Sequence, residues 1–212
     1  VPVPADPAGP RRIVVLDRPG SVQTNLLVGG PGIPRTDPDA YALELAMTIY
    51  GGSFTARLVQ NLRESKGYTY SPGAGASWMA GRGSVRTFAA VRNEVTGAAL
   101  NEVLYEMERM TTTEPTDEEM ERAFRKEAGS LAIALQTASG VAEEVARFWV
   151  LGLPPGEIGR IVPGLAGVTK ADVRRVSRRV FGTGTARVVA VGDAAAIRAE
   201  LATFGEVVEA AG

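Results

Sequence analysis

The feature that most limits the fold of this 212-residue chain is how its segments are grouped. Runs of β-type residues come together with tight-turn residues between them, and helical runs come in clusters of their own. Arg12 to Leu16 and Val22 to Gly30 read as strands, with Asp17-Arg18-Pro19-Gly20 as the turn signal between them. They predict an antiparallel pair at the start of a sheet. A long hairpin follows around Gly81-Arg82-Gly83, its strands near Thr69 to Met79 and Ser84 to Arg92. Ala186 to Val191 carries no charge after Arg187, the mark of a strand in the middle of a sheet. Such grouping speaks for an α+β fold with a mostly antiparallel sheet covered by helices, since alternating βαβ units are not evident. Residues 11–212 are read as one domain and 1–10, rich in Pro and Ala, as a linker and not a signal peptide. The missing initiator Met fits a piece of something longer, and processing or tag removal would look the same.

The helices announce themselves by caps and periodicity. Asp37 is expected as N-cap and Pro38 as the first helical residue of a helix whose body, Ala40 to Tyr50, is apolar almost all round and hence buried. Gly51-Gly52 ends it. Ser53 is expected to cap a second, amphipathic helix with Phe54, Leu58 and Leu62 on one face and Arg57, Gln60, Asn61 and Glu64 on the others, stopped at Gly67. Further on, Ala99 to Met110 forms a helical stripe, Thr116 to Glu119 a capping box, Ala142 to Leu151 more helix broken at Pro154-Pro155, and Thr169 caps a helix along Val173, Val176 and Val180. Ala194 to Leu201 is the last predicted helix.

Two absences narrow the chemistry. The chain has no cysteine and no histidine. Disulfides, thiolate catalysis, the usual general base near neutral pH and the commonest zinc ligand are therefore all missing. A metal site would have to be built from carboxylates, which suit hard ions better than zinc. Lys and Arg number 23 and Asp and Glu 24, spread along the chain, so no nucleic-acid footprint is expected. No apolar stretch reaches the length of a membrane span. A soluble, cytoplasmic location is favoured, though the lack of cysteine suits any redox compartment. Gly29-Gly30-Pro31-Gly32, Gly73-Ala74-Gly75 and Gly182-Thr183-Gly184 lack the Lys-Ser or Lys-Thr of a phosphate loop and read as turns. The acidic run from Asp117 to Glu121 reads as a helix start using its dipole.

One segment rises above background. Gly51 to Ser71 places a glycine pair before Ser53, Arg57, Leu58, Leu62, Arg63 and Glu64, then Lys66, Gly67, Tyr70 and Ser71. It resembles the stretch found in the pitrilysin/insulinase family of zinc metallopeptidases, which includes mitochondrial processing peptidase, in the domain that lacks metal ligands. The likeness extends to Asp37-Pro38-Asp39-Ala40-Tyr41 and to the closing run Val188 to Asp193. It implies the LuxS/mitochondrial processing peptidase-like metallohydrolase fold, in which two homologous domains face each other across a chamber. One domain holds zinc on an H-x-x-E-H helix. By position, those ligands and the glutamate would fall here at Ala42, Ala46 and Leu45, all apolar, so no zinc is expected in this chain. The resemblance further implies that Arg63 and Tyr70 are substrate-binding residues beside the partner's metal. A guanidinium and a phenol are both donors suited to an oxyanion forming on an attacked peptide carbonyl.

The expected partners are thus a zinc-bearing homologous domain, placed upstream in the same polypeptide by the linker-like N-terminus, and a peptide substrate bound along an exposed strand edge. The hairpin entered at Tyr70 is a candidate for that edge. An isolated domain with an exposed partner-facing surface could also form a homodimer. The alternative is a family member that has lost catalysis and serves as a structural or assembly subunit, with Arg63 and Tyr70 as relics.

Overall fold

The computed structural model describes residues 9–210. Most of the expected linker, residues 1–8, lies outside them. The chain builds one six-stranded sheet in the order β3-β4-β2-β5-β1-β6. Its strands are β1 (Arg12–Asp17), β2 (Gln23–Gly32), β3 (Gly73–Met79), β4 (Arg82–Arg92), β5 (Arg187–Gly192) and β6 (Glu206–Ala210). Three pairings are antiparallel (β3·β4, β4·β2 and β2·β5) and two parallel (β5·β1 and β1·β6).

The uncharged run at β5 lies in the middle of the sheet, as its composition predicts. This placement corrects the expected pairing of β1 with β2. They are not neighbours, because β5 inserts between them, parallel to β1 and antiparallel to β2. The turn at Asp17 to Gly20 is therefore a wide connection across an intervening strand. Gly20 provides its left-handed residue, with φ +77°. β6 was not foreseen. It adds to the outer edge of β1 after a helical crossover from β5.

The helices are α1 (Ala40–Tyr50), α2 (Arg57–Val59, running on as a π-helical segment Gln60–Ser65), α3 (Thr96–Thr112), α4 (Asp117–Ala134), α5 (Ala138–Val150), α6 (Ile158–Ala166), α7 (Lys170–Val180) and α8 (Ala194–Leu201). Alternation along the strands turns Ile13, Val15, Leu26, Val28, Val85, Ala89, Val188 and Ala190 inward, each at most 3% exposed. Helices α1, α3, α7 and α8 pack on this face. The other face has no described helix over it.

Helix α1 lies among the β3 side of the sheet and helices α4, α6 and α7, which explains why it is apolar on every side. Its positions Ala42, Leu45 and Ala46 are enclosed in the core. The expected cap at Asp37 is displaced: helix α1 starts at Ala40, and Asp37 instead closes the preceding turn by accepting the Asp39 N–H at 2.9 Å. Both aspartates bind α7, where Arg175 donates to Asp39 at 2.5 Å and Arg179 to Asp37 at 2.7 Å and to Asp39 at 2.6 Å. The capping boxes at Thr116 with Glu119 and at Thr169 with Asp172 are formed as the sequence indicates. Among the described residues no helix is long and apolar enough to cross a membrane.

Candidate functional site

The corner where α1 ends, α2 runs and β3 begins is built around two glycines. At Gly51 a β-carbon would stand 2.6 Å from the Ala74 Cβ and 2.9 Å from its nitrogen. Only a residue without a side chain lets the end of α1 touch the start of β3 this closely, and the contact is sealed by Ala74 N–H donating to the Gly51 carbonyl at 3.1 Å. At Gly73 a β-carbon would come within 2.5 Å of the Phe88 ring. Gly73 thus allows Phe88, from the adjacent strand β4, to lie across β3.

Helix α2 departs from the expected pattern in three ways. Ser53 does not cap it: helical structure begins at Arg57, after Ala56, and the Ser53 hydroxyl donates weakly to the Thr48 carbonyl at 3.5 Å. Phe54, expected on the buried face, is 80% exposed. Arg57, expected on a solvated face, is buried and donates to both carboxylate oxygens of Glu119 at 2.7 and 2.8 Å. The bidentate pair ties α2 to the first turn of α4. Burial works to raise the Glu119 carboxyl. The hydrogen bonds from Arg57 and from the Thr116 N–H, with the charges of Arg57 and Arg109, outweigh it and hold the group below its ordinary range.

From Gln60 the helix widens to π geometry, with Lys66 N–H donating to the Asn61 carbonyl five residues back at 3.0 Å. Single π turns inside helices often mark functional positions. Gly67 then ends it as predicted, with φ +62°, and Tyr68 N–H donates back to the Leu62 carbonyl at 2.9 Å.

This geometry brings Arg63 and Tyr70 together. The Arg63 guanidinium carbon lies 4.5 Å from the centre of the Tyr70 ring and 5.9 Å from that of Phe54. Tyr70 is not in the strand, as expected, but in the loop before β3, and it is 78% exposed. Its hydroxyl bonds no other described residue. Arg63 is partly covered, and its Nε meets Glu64 Oε1 at 3.2 Å. Both side chains line an open, largely apolar cleft of about 620 Å³, together with Phe54, Pro72, Gly73 and Phe88. The features missed from sequence are the two exposed aromatic neighbours of the cleft. Phe54 stood in the helical periodicity and was assigned to the core on that ground, although it lies three residues before the helix starts. Phe88 stood in a strand pattern that does not say which face is bare.

The donor set does not fit zinc. The chain has no His or Cys, and the α1 positions that would correspond to ligands are buried and apolar. Among the described residues no group of three or more His, Cys, Asp or Glu stands together as a metal cage.

Comparison with known proteins agrees with the fold. The family model described as the peptidase M16 inactive domain matches residues 1–127. An uncharacterized zinc protease of Streptomyces coelicolor is 28% identical over 160 residues, covering 76% of this chain and 35% of that protein. Another from Rickettsia felis is 26% identical over 163 residues, covering 75% of this chain and 39% of its own length. The chain thus spans little more than a third of these curated relatives. A crystal structure of the peptidase M16 inactive domain from Pseudomonas fluorescens superposes with a TM-score of 0.83 at 26% identity, covering 91% of this chain and 46% of that one. A protease from Helicobacter pylori shares the fold, with a TM-score of 0.78 at 16% identity over 85% of this chain and 43% of that one. By its sequence match over more than half its length, this chain belongs to the peptidase M16 family, as its inactive, C-terminal type of domain.

Proposed function

We propose that this domain forms one wall of a substrate chamber in a zinc peptidase and gives Arg63 and Tyr70 to a peptide whose scissile carbonyl lies at a metal held by a second, homologous domain. The observation that carries the reading is the Arg63–Tyr70 pair at the cleft: a guanidinium held against an exposed ring, with the phenol left free for an outside acceptor. Donors fixed in advance where negative charge will develop need no reorganisation during reaction, and each is worth roughly a hundredfold or more in rate. Zinc and the general base belong to the partner in this reading, because the residues here supply neither. The relatives are named zinc proteases well over twice the matched length, and the matching family model is that of the C-terminal, inactive domain, which supports a partner domain upstream in the same polypeptide.

Peptide would enter beside β3, the outer strand on the cleft side of the sheet. Its edge is partly capped: the Ala74 N–H is taken by Gly51. By alternation the backbone groups of Ala76 and Trp78 are the next that face outward, free to add a strand.

The test is turnover of an unstructured peptide by the complete protein, zinc-bearing domain included. Arg63→Ala and Tyr70→Phe should each lower kcat by roughly a hundredfold while leaving zinc content unchanged. Full turnover by both variants would favour the other reading, a structural or assembly role in which the pair is a relic.

A further inference from the structure

The π segment from Gln60 to Ser65 needs something to keep its widened spacing, because an α-helix of ordinary pitch is the commoner arrangement by far. Most of its polar side chains bond locally. The Ser65 hydroxyl donates to the Gln60 carbonyl at 2.9 Å, Gln60 Nε2 donates to the Phe54 carbonyl at 3.1 Å, and Arg63 meets Glu64. Two residues tie the segment to the helical layer. Leu62 is fully buried in the core, and Asn61 Nδ2 donates to Glu102 Oε2 and Glu106 Oε1 on α3, both at 2.9 Å.

These two ties do different things. Burial of Leu62 has no preferred direction, so it fixes how deep the segment sits and only loosely its rotation. Hydrogen bonds are directional, and two from one amide to carboxylates on consecutive turns of α3 set that rotation. The Asn61 carbonyl is meanwhile taken by Lys66 N–H at 3.0 Å, five residues on, so Asn61 is held by backbone and side chain where the wide spacing occurs. Glu106 is 2% exposed, and its bond from Arg109 is long at 3.4 Å, so this buried carboxylate depends on the amide N–H. Asn61 Oδ1 is itself buried with no partner among the described residues. Turning the amide over would set that oxygen against two carboxylates, which leaves the side chain one usable orientation.

We propose that Asn61 is the positioning residue of the cleft: anchored on Glu102 and Glu106, it fixes the rotation of the π segment and so keeps the Arg63 guanidinium over the Tyr70 ring. Asn61 borders a separate polar cavity behind the segment, with Lys66, Glu102 and Glu106, and does not line the cleft that holds Arg63. It therefore acts through Arg63 and touches no substrate. Its weight in turnover rests on the reading of Arg63 and Tyr70 given above; its hold on Arg63 does not. A donor displaced by about 1 Å from the place where charge develops loses on the order of a hundredfold in rate.

Asn61→Asp tests the hold. It keeps the size of the side chain, removes both N–H donors and sets a third carboxylate beside Glu102 and Glu106. NMR of the 212-residue chain reads the result at Arg63, because protons stacked over a ring are shielded and Tyr70→Leu supplies the unshielded reference. In Asn61→Asp the Arg63 side-chain resonances should move to that reference while the Leu62 methyls keep their native shifts. The double variant Asn61→Asp/Glu106→Gln, which exchanges donor and acceptor at the buried end of the tie, should bring them back. In the complete protein, zinc-bearing domain included, the single variant should lower kcat by at least about tenfold with KM within about threefold, and the double variant should recover most of it. A lower Tm with Arg63 still shielded in the folded protein would mean an asparagine that merely stabilises, and would overturn the proposal. So would a folded double variant that leaves Arg63 unshielded. Shielding lost in Asn61→Asp alongside full turnover by Arg63→Ala would instead sink the peptide reading and leave the hold of Asn61 standing.

Discussion

Arg57 and Arg63 stand six residues apart in one helical segment and do opposite things. Arg57 is 5% exposed, and its guanidinium is used up inside the molecule by Glu119 and by the carbonyls of Thr113 and Glu114. Arg63 leans on the rings of Tyr70 and Phe54 at an open cleft, with only the Nε edge drawn toward Glu64. An arginine whose donors are all matched by the protein fastens elements together and has nothing left for a ligand. One stacked on aromatic faces is held in place while keeping donors free, since a ring fixes the plane without consuming N–H groups. The first arginine anchors the helix, and the second is what the anchored helix presents.

This contrast can be broken by mutation. Arg57→Ala should have the largest effect on stability, about 3 kcal/mol, because it leaves the partly buried Glu119 carboxylate without its cation; urea unfolding measures it. Restoring most of that stability with the double variant Arg57→Met/Glu119→Leu would show that the stranded charge was the cost. Gly51→Ala should come next, at about 2 kcal/mol, from forcing a methyl against Ala74, and should disturb the cleft as well as the fold.

Acid titration separates the two kinds of charge more gently. Carboxyls held below their ordinary range, Glu119 by the balance already described, Asp37 by Arg179 and Asp39 by Arg175, stabilise the fold fully above their unfolded values near pH 4. That contribution is lost as the pH falls through their lower folded values. Asp172, held at about 2 by the Thr169 hydroxyl and backbone and by Arg175, extends the loss to the acid end of the window. Glu44 works the other way: burial pushes it up, so its ionisation costs stability as the pH rises past about 4. Glu119→Gln should flatten the acid limb of a stability–pH curve, and Glu44→Gln should steepen it. The smallest change is expected at Arg63→Ala, within about 0.5 kcal/mol of the parent, since the side chain holds no other element. A loss as large as that of Arg57→Ala would erase the distinction between the two arginines.

Much of this architecture is legible in the sequence where the signal is local. Helix α1, the capping boxes at Thr116 and Thr169, the Gly67 stop and the β3–β4 hairpin all follow from residues within a few positions of one another. The pairing of β1 with β5 does not, because their partners lie some 170 positions apart and a turn-like stretch after β1 suggested a nearer one. The uncharged run at β5 held the needed clue: a strand buried in mid-sheet requires neighbours on both sides, and β1 and β2 were the ones to hand. Arg57 was misplaced for a similar reason, since its carboxylate is 62 residues away. At the site, the segment from Gly51 to Ser71 pointed to Arg63 and Tyr70, and the folded chain sets the two side chains against each other. What it could not convey was that Phe54 and Phe88 border the same opening.

The widened turn between Gln60 and Ser65 bears on how such an opening could be lost. A π segment is an α-helix carrying one residue more than it needs. Removing a residue there would restore ordinary helical spacing and turn the facing of residues left inside the segment, Arg63 among them, by about 100°. The guanidinium of Arg63 would then leave the ring of Tyr70, and Leu62, buried in the core from the same segment, would have to be reseated. A single codon deletion could thus undo the pairing of Arg63 with Tyr70, and a domain that keeps the extra residue keeps the two side chains together.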